Sequence, residues 1–188
     1  MKYSAFAIVV LCSLSGLSKA EQPYNVKNEA SECLKGLRET LYDLYECDFK
    51  LVGRQRLLNG TFSFNDDIAS DHYTFQVDLF SSPLGDGQYK LLPMGVPRLG
   101  VCEGMRDLYT KVVQPSLIEG ENTNFPFIPE EGLCPIPKGK YFIKNMKLDT
   151  DSWPNQIPRG LLKAVLTIFK DGVDVGRGAL YMRVVDRE

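Results

Sequence analysis

Residues 72–80 read HYTFQVDLF, with an apolar side chain at every second position. In an extended chain Tyr73, Phe75, Val77 and Leu79 would share one face, because successive side chains of a strand point to opposite faces. This alternation predicts a half-buried strand, which is typical of an antiparallel sheet with one face on a core. The stretch therefore favours an antiparallel fold over an α/β fold.

Further strand-like runs lie on both sides of this stretch. They cover residues 44–56, 60–64, 88–92, 140–148, 161–169 and 175–185. Asn59-Gly60 and Asp171-Gly172 each predict a tight hairpin turn between two runs. Because no series of helices separates the runs, the pattern predicts an all-β fold. We expect an antiparallel β-sandwich or β-cup of about seven to eight strands, with a short helix and long loops at one end.

Two segments depart from the β pattern. In residues 31–45 leucines recur at helical spacing, so an amphipathic helix and a strand from about residue 41 are both open there, and we favour the strand. Residues 103–114 place apolar side chains on one helical face and are followed by Pro115, which predicts a short helix. Residues 115–137 are rich in Pro, Gly and Asn and predict a long loop, a kind that is usually functional.

The N-terminus has the features of an export signal. Lys2 precedes an apolar run over residues 5–14, and Ser18-Lys19-Ala20 has the form of a signal peptidase site. The apolar run of about ten residues is too short for the ~20 that a membrane-spanning helix needs. We therefore expect a signal peptide over residues 1–20 and a single secreted domain over residues 21–188, without a transmembrane segment.

Cysteine usage agrees with export. Cys12 lies within the expected signal, which leaves Cys33, Cys47, Cys102 and Cys134. Four cysteines in an oxidising compartment predict two disulfides, for which three connectivities are possible. We favour Cys33–Cys47, which closes a short N-terminal loop, and Cys102–Cys134, which attaches the long loop to the strand that follows it. A zinc site is disfavoured, because the chain has no Cys-x-x-Cys spacing and one histidine.

Asn59-Gly60-Thr61 is a sequon for N-glycosylation. A turn at this position would expose the Asn59 side chain, so Asn59 is the candidate glycosylation site. The same Asn-Gly pair would also be explained by the hairpin alone, and both interpretations can hold together.

The sequence offers little for catalysis. The single histidine, His72, falls on the polar side of its strand, and no Gly-x-Ser-x-Gly elbow is present. The aspartates near residues 66–71 and 149–151 lack the glycine and terminal glutamate of an EF-hand loop and are interpreted as solvated turn residues. A formal net charge of −2 gives no basic footprint for nucleic acid. We therefore expect a protein that is not an enzyme and that needs no cofactor or metal.

Without a catalytic group, binding is the function to consider. Segments 81–88, 93–100, 115–137 and 149–159 are long enough to hold two sheets apart at one end. Phe127 and Trp153 place bulky apolar side chains in these loops, where exposure to water is unfavourable. Such aromatic residues either form the rim of a pocket or close the end of an ordinary core.

A resemblance extends over nearly all of the chain after residue 20. Its motifs, in order, are Leu58-Asn59-Gly60-Thr61-Phe62, Ser82-Pro83-Leu84-Gly85-Asp86, Pro97-Arg98 ahead of Cys102-Glu103, Gln114-Pro115-Ser116, Cys134-Pro135-Ile136-Pro137-Lys138-Gly139-Lys140-Tyr141 and Ile157-Pro158-Arg159-Gly160. This series resembles the insect chemosensory protein B family. Cys134-Pro135, the Trp153 loop and the closing hairpin are similar, more distantly, to the ganglioside activator protein and other ML-type lipid-recognition proteins.

The resemblance implies a lipid-recognition-like β domain that takes part in contact chemosensation, the gustatory perception of pheromones. Its ligand would be an apolar small molecule, a lipid or a cuticular hydrocarbon, and its partner a receptor or sodium-channel ectodomain. By alternation, the inner wall of the ligand site is expected to include Phe75, Val77, Leu79, Tyr141, Ile143, Val165, Ile168 and Leu180, with Phe127 and Trp153 at the rim. The alternative is a secreted protein-interaction module that docks a receptor or channel ectodomain without a ligand.

Overall fold

The computed structural model describes residues 21–35 and 46–188. The signal peptide expected over residues 1–20 and the strand start expected near residue 41 lie outside these residues. In the described part, nine strands form two antiparallel sheets. The all-β prediction is confirmed, and the strands are slightly more numerous than the seven or eight expected from the sequence.

The larger sheet has six strands. They are β1 (Tyr24–Lys35), β4 (Tyr73–Ser82), β5 (Lys90–Leu91), β6 (Val96–Gly100), β8 (Gly160–Lys170) and β9 (Val173–Asp186). Their order is β1-β9-β8-β4-β5, and β6 also pairs with β4. Residues 31–35 belong to β1, so the helical alternative for residues 31–45 is wrong over this part of the segment.

The smaller sheet has three strands, β2 (Glu46–Val52), β3 (Leu57–Phe64) and β7 (Gly139–Met146), in the order β2-β3-β7. Near the β1 edge the two sheets are joined through Arg56, in the β2–β3 turn. Its Nε donates to the Asn28 carbonyl at 2.8 Å, and Asn28 Nδ2 donates to the Arg56 carbonyl at 3.1 Å. Ser31 Oγ adds a hydrogen bond to the Phe49 carbonyl at 3.3 Å. These bonds link the first strand of the large sheet to the small sheet.

One of the two predicted hairpins is confirmed and the other is wrong. Asp171 and Gly172 connect β8 and β9 with positive φ angles of 47° and 83°, as a tight turn of this type requires. Asn59 and Gly60 instead lie inside β3, and the β2–β3 turn occupies residues 53–56. A Cβ atom on Gly60 would lie 2.1 Å from the Asp48 carbonyl oxygen. Gly60 therefore permits a close approach of two strands, and it does not make a turn.

The helix predicted over residues 103–114 is confirmed as a helical segment over residues 101–112. It consists of an α-helical turn, Val101–Gly104, a π-helical turn, Met105–Tyr109, and a second α-helical turn, Thr110–Val112. The 3₁₀ turn Gln114–Ser116 follows and contains the helix-ending proline. At Gly104 a Cβ atom would lie 2.0 Å from the Phe75 ring, so the missing side chain lets this segment pack directly on the inner face of the large sheet.

The long loop over residues 117–138 packs closely on the rest of the domain. Residues 122–124 run along the free edge of β7, where Lys144 N donates to the Asn122 carbonyl at 2.7 Å and Asn124 Nδ2 donates to the Lys140 carbonyl at 3.0 Å. The Gln114 amide exchanges two hydrogen bonds with the Ile128 backbone, at 3.0 and 2.9 Å. The loop thus protects an exposed strand edge, a common need of β proteins.

The predicted Cys102–Cys134 disulfide is present and spans a sequence separation of 32 residues. It connects the start of the helical segment to the end of the long loop. Cys33 is also disulfide-bonded. The side chain of Cys47, its expected partner, lies outside the described residues.

Candidate ligand-binding site

The inner face of the large sheet is defined by its register. Phe75 lies opposite Ile168, Val77 opposite Leu166, and Leu79 opposite Ala164, which in turn lies opposite Leu180. Residues that pair directly share one face, so these side chains form successive rows across β4, β8 and β9. They lie on the face that contacts the helical segment, because Phe75 packs against Gly104.

The two ends of this face are buried. At one end, Tyr73 and Phe75 join a core cluster that includes Phe125, Ile128, Ile136 and Tyr141. At the other end, Leu162, Met182 and Val184 form a second cluster with Tyr24. A protein interior of this kind is close-packed and leaves little space. Phe75 and Tyr141, two of the predicted wall residues, are therefore core residues of the first end.

Aromatic side chains fill the first end. The rings of Phe125 and Tyr141 are 4.9 Å apart in an edge-to-face arrangement, and Phe62 lies 5.3 Å from Tyr141. The Tyr141 hydroxyl donates to the Pro137 carbonyl at 2.6 Å. Phe125 belongs to the loop segment that was expected to splay the sheets apart, and it contributes to this packing instead.

Between the two buried ends, the inner face is only half-buried. The side chains concerned are Val77, Leu79, Ala164, Leu166 and Leu180, which we call the central strip. Three of the predicted wall residues, Val77, Leu79 and Leu180, lie in this strip. Ala164 and Leu166 belong to it as well and were not predicted, although they lie four and two residues before the predicted Ile168 and therefore share its face of the strand.

The prediction that Val165 belongs to the inner wall is corrected by the strand register. It lies opposite Asp78 on β4 and Ala179 on β9, one position out of phase with Ala164 and Leu166. Because strand side chains alternate with a period of two, Val165 is on the outer face of the sheet. Val165 and Ile168 are an odd number of residues apart, so they could not have shared a face of an unbroken strand.

The small sheet and the helical segment provide the opposite wall. Ile143, a predicted wall residue, packs against a third cluster formed by Leu58, Leu117 and Met146. The partly buried members of this cluster are Phe49, Leu51, Tyr109, Val113, Ile143 and Leu148. Leu148 also packs against the second cluster of the large sheet, so the two walls converge there.

The two predicted rim residues differ in their surroundings. Trp153 is half-buried, packs against the second cluster, and places Nε1 3.5 Å from the Val112 carbonyl. Phe127 is 54% exposed, while its neighbour Ile128 is 1% exposed. Trp153 therefore lies beside the helical segment where the walls converge, and Phe127 lies at the surface of the long loop.

A groove of about 460 Å³ is lined in part by Leu148, where the two walls converge. Its lining is mostly polar and includes Asn25, Asn122, Lys147, Asp149 and Arg187. The backbone N–H of Asp149 donates to Ser116 Oγ at 2.8 Å, which holds this part of the lining against the 3₁₀ turn. This groove differs in chemistry from the apolar central strip.

Several ionisable side chains form ion pairs and hydrogen bonds at the protein surface near Tyr73, at the first buried end. His72 Nδ1 is 2.9 Å from Asp171 Oδ1, and this hydrogen bond, together with the charges of Asp71 and Asp171, raises the pKa of His72. The Lys170 ammonium and the Tyr73 hydroxyl contact Asp66 Oδ2 at 3.1 and 3.0 Å and lower the pKa of Asp66. In the described part of the chain, no group of three or more histidine, cysteine or acidic side chains could hold a metal ion.

Asn59 lies in the middle strand of the small sheet. Its register partner is Lys50 on β2, and its Nδ2 is 3.3 Å from Asn145 Oδ1. Glycosylation at Nδ2 stays a prediction. The glycan would be attached at a strand position, where the sequence had indicated a turn.

Together these features define an all-β, two-sheet protein with a half-buried apolar strip between packed ends. The chain belongs to the family described as "Protein of unknown function (DUF1091)", whose model matches residues 54–164. The matched region extends from the β2–β3 turn into β8 and contains the helical segment, the long loop and the Cys102–Cys134 disulfide. A search of curated proteins found no match. Among the described residues, no helix is long and apolar enough to cross a membrane.

Proposed function

We propose that this protein is a secreted, non-catalytic carrier whose apolar ligand lies between the two sheets, against the central strip. One observation carries the proposal. The inner face of the large sheet is buried at both ends and half-buried in the middle. Val77 and Leu166 pack against the first cluster and Ala164 and Leu180 against the second, but each keeps some exposed apolar area that another molecule could contact. In a closed sandwich, side chains of both inner faces interdigitate and fill a core about 10 Å thick.

The chemistry of the strip favours a ligand with a long alkyl chain. Valine, leucine and alanine side chains line it, and Phe49 and Ile143 lie on the wall of the small sheet. Transfer of an alkyl chain from water to such surroundings contributes about 0.8 kcal/mol for each buried CH₂ group. A lipid or a long hydrocarbon therefore has a large driving force to enter, and selection among such ligands would depend mainly on length and shape.

The biological role that we propose comes from the resemblance to the chemosensory protein B family and, more distantly, to ML-type lipid-recognition proteins. In that role the protein would bind a lipid or cuticular hydrocarbon and present it to a receptor or sodium-channel ectodomain during contact chemosensation. The two-sheet antiparallel architecture and the Cys102–Cys134 disulfide agree with a secreted lipid-recognition domain.

Native mass spectrometry of the protein secreted from eukaryotic cells tests the carrier proposal directly. We expect a bound lipid or hydrocarbon near one equivalent, which is released on denaturation and identified in the extract. The delipidated protein is the control and should take up added long-chain esters or alkanes. A mass that stays that of the free protein after incubation with alkanes, fatty acids and esters would contradict the proposal.

A second candidate function is supported by an exposed apolar surface beyond the strip. Leu84, in the turn after β4, Leu91, the last residue of β5, and Met94, three residues further on, are 88%, 63% and 46% exposed. Exposed apolar residues grouped in this way are typical of protein-interaction sites. A secreted docking module for a receptor or channel ectodomain is therefore the alternative. It would be favoured if Leu84→Ser with Leu91→Ser abolished receptor activation while ligand uptake was unchanged.

A further inference from the structure

The outer face of the small sheet carries a band of positive charge along β7. Its members are Lys140, Phe142, Lys144 and Lys147, which we call the cationic band. The residues between them, Tyr141, Ile143 and Met146, pack in the core clusters. Because successive side chains of a strand point to opposite faces, the band lies on the face turned away from the core. Its three lysines are exposed and Phe142 is half-buried.

The positive charge of the band is not neutralised within the fold. Among the described residues, the lysines of the band form no ion pair, whereas Lys50 on β2 pairs with Asp48 at 3.3 Å. The ammonium group of Lys144 lies 4.5 Å from the centroid of the Phe142 ring, a cation–π contact that holds it over the strand. Residues 132–148 contain four lysines and no acidic side chain. The band therefore has charge available for an anionic partner.

Neutral hydroxyl side chains border the band on one side. Thr61 on β3 lies opposite Phe142, and Ser63 lies opposite Lys140, so both hydroxyl groups share the outer face with the band. One strand further, Asp48 lies opposite Thr61, and its ion pair leaves little net charge there. The positive charge of this face is therefore concentrated on β7.

An acidic side chain borders the band on the other side. The Lys144 N–H donates to the Asn122 carbonyl at 2.7 Å, which places the exposed Glu121 next to β7. Residues 122–124 also occupy the free edge of β7, so an extended peptide cannot add there as another strand. The band is thus narrow, with neutral side chains on one side and a carboxylate on the other.

This outline fits a linear polyanion better than a broad anionic surface. A lipid bilayer or the acidic face of a protein would bring negative charge against Glu121 as well, and facing like charges are unfavourable. A single chain can follow the band and avoid that carboxylate, and a polymer with hydroxyl groups can bond to Thr61 and Ser63. We propose that the cationic band binds a sulfated polysaccharide chain, whose sulfate groups contact the lysine ammonium groups. The inference is independent of any ligand between the sheets.

Surface plasmon resonance on immobilised heparin, a sulfated polysaccharide, tests the proposal. The test variant combines Lys140→Gln, Lys144→Gln and Lys147→Gln. The control variant makes the same change in net charge at exposed lysines outside the band, with Lys27→Gln, Lys90→Gln and Lys111→Gln. We expect the test variant to bind at least about tenfold more weakly and the control to stay within about twofold, because binding to a polyanion depends on the cations that contact it.

Further proteins complete the design. Replacing the three lysines of the band by arginine keeps the charge and should keep the affinity. Every protein carries Asn59→Gln, because Asn59 lies on the same outer face, two residues before Thr61, and a glycan there would cover part of the band. Thermal midpoints should agree among all variants, since substitutions at exposed positions change stability little. Desulfated heparin should bind none of them.

The other outcomes would overturn the proposal. Equal losses in the test and control variants would mean that net charge alone determines the binding. Tighter binding to vesicles of phosphatidylcholine and phosphatidylserine, or to poly-glutamate, than to heparin would assign the band to a membrane or to an acidic peptide. A parent protein that does not bind heparin at physiological salt would remove the polysaccharide as partner, while the carrier function would stand on its own test.

Discussion

Ala164→Phe distinguishes an open central strip from a packed one. Ala164 lies in the middle of the inner face, between Leu79 on β4 and Leu180 on β9, and is half-buried. If ligand space lies in front of it, a phenyl ring can enter that space without displacing its neighbours. The matched control is Val184→Phe, on the same face but at a packed end, where Val184 is 1% exposed.

The two substitutions should differ in sign or size of the stability change. A phenylalanine that becomes buried contributes about 1.5–3 kcal/mol from its apolar surface, so Ala164→Phe should be neutral or stabilising. At Val184 the same side chain is forced into close-packed surroundings, and overpacking of this kind destabilises by about 1–3 kcal/mol. Although Ala164→Phe should not destabilise the fold, it should weaken ligand binding. A phenyl ring that displaces roughly three CH₂ groups of the ligand would remove about 2.4 kcal/mol, or roughly fiftyfold in affinity.

Urea unfolding, followed by the fluorescence of the single tryptophan, Trp153, measures the first effect. With a slope near 2 kcal/mol per molar urea, a change of 1 kcal/mol moves the midpoint by about 0.5 M. Probe displacement measures the second effect. If Ala164→Phe destabilised the protein as much as Val184→Phe, the strip would be a packed core, and the reasoning from its half-burial would be refuted.

Three other measurements follow from individual contacts. Replacing Cys102 and Cys134 together by alanine should lower the free energy of unfolding by about 4 kcal/mol, as the chain-entropy model gives for a separation of 32 residues; an unchanged urea midpoint would contradict this. Gly60→Ala should destabilise the small sheet by several kcal/mol, because the Cβ atom of the alanine would lie 2.1 Å from a carbonyl oxygen. A thermal midpoint equal to that of wild type would count against the observed strand pairing. The pKa of His72, followed by NMR, should lie above 6.5 and fall towards that value in Asp171→Asn. The stabilisation that the raised pKa provides is complete below pH 6.5 and is lost as the pH rises through the folded-state pKa. Equal pKa values in the two proteins would exclude the hydrogen bond.

Much of the large sheet could be predicted from local patterns. The alternation in residues 72–80 gave β4 with the correct inward face, and Asp171-Gly172 gave the β8–β9 hairpin. These predictions succeed because a strand period of two and a left-handed turn are properties of a few neighbouring residues. The β1 strand was missed, because the helical spacing of the leucines in 31–45 competed with the weaker alternation of the residues before them.

The errors arise where local chemistry has two explanations. Asn59-Gly60 has the composition of a hairpin turn, yet the glycine is required by the approach of Asp48 across the sheet. Phe125 and Phe127 lie two residues apart in the same predicted loop, yet the first is buried in the core and the second is exposed. Which explanation holds depends on atoms contributed by distant parts of the chain.

The sequence by itself therefore determined the β class, the period of the strands and the short helix, and it favoured the pairing of Cys102 with Cys134 that the structure shows. Only the tertiary structure decided which apolar side chains face each other and which of them keep exposed area. Those properties depend on how two sheets, a helical segment and a long loop pack together, and no window of neighbouring residues contains that information. The central strip became visible only once that packing was known.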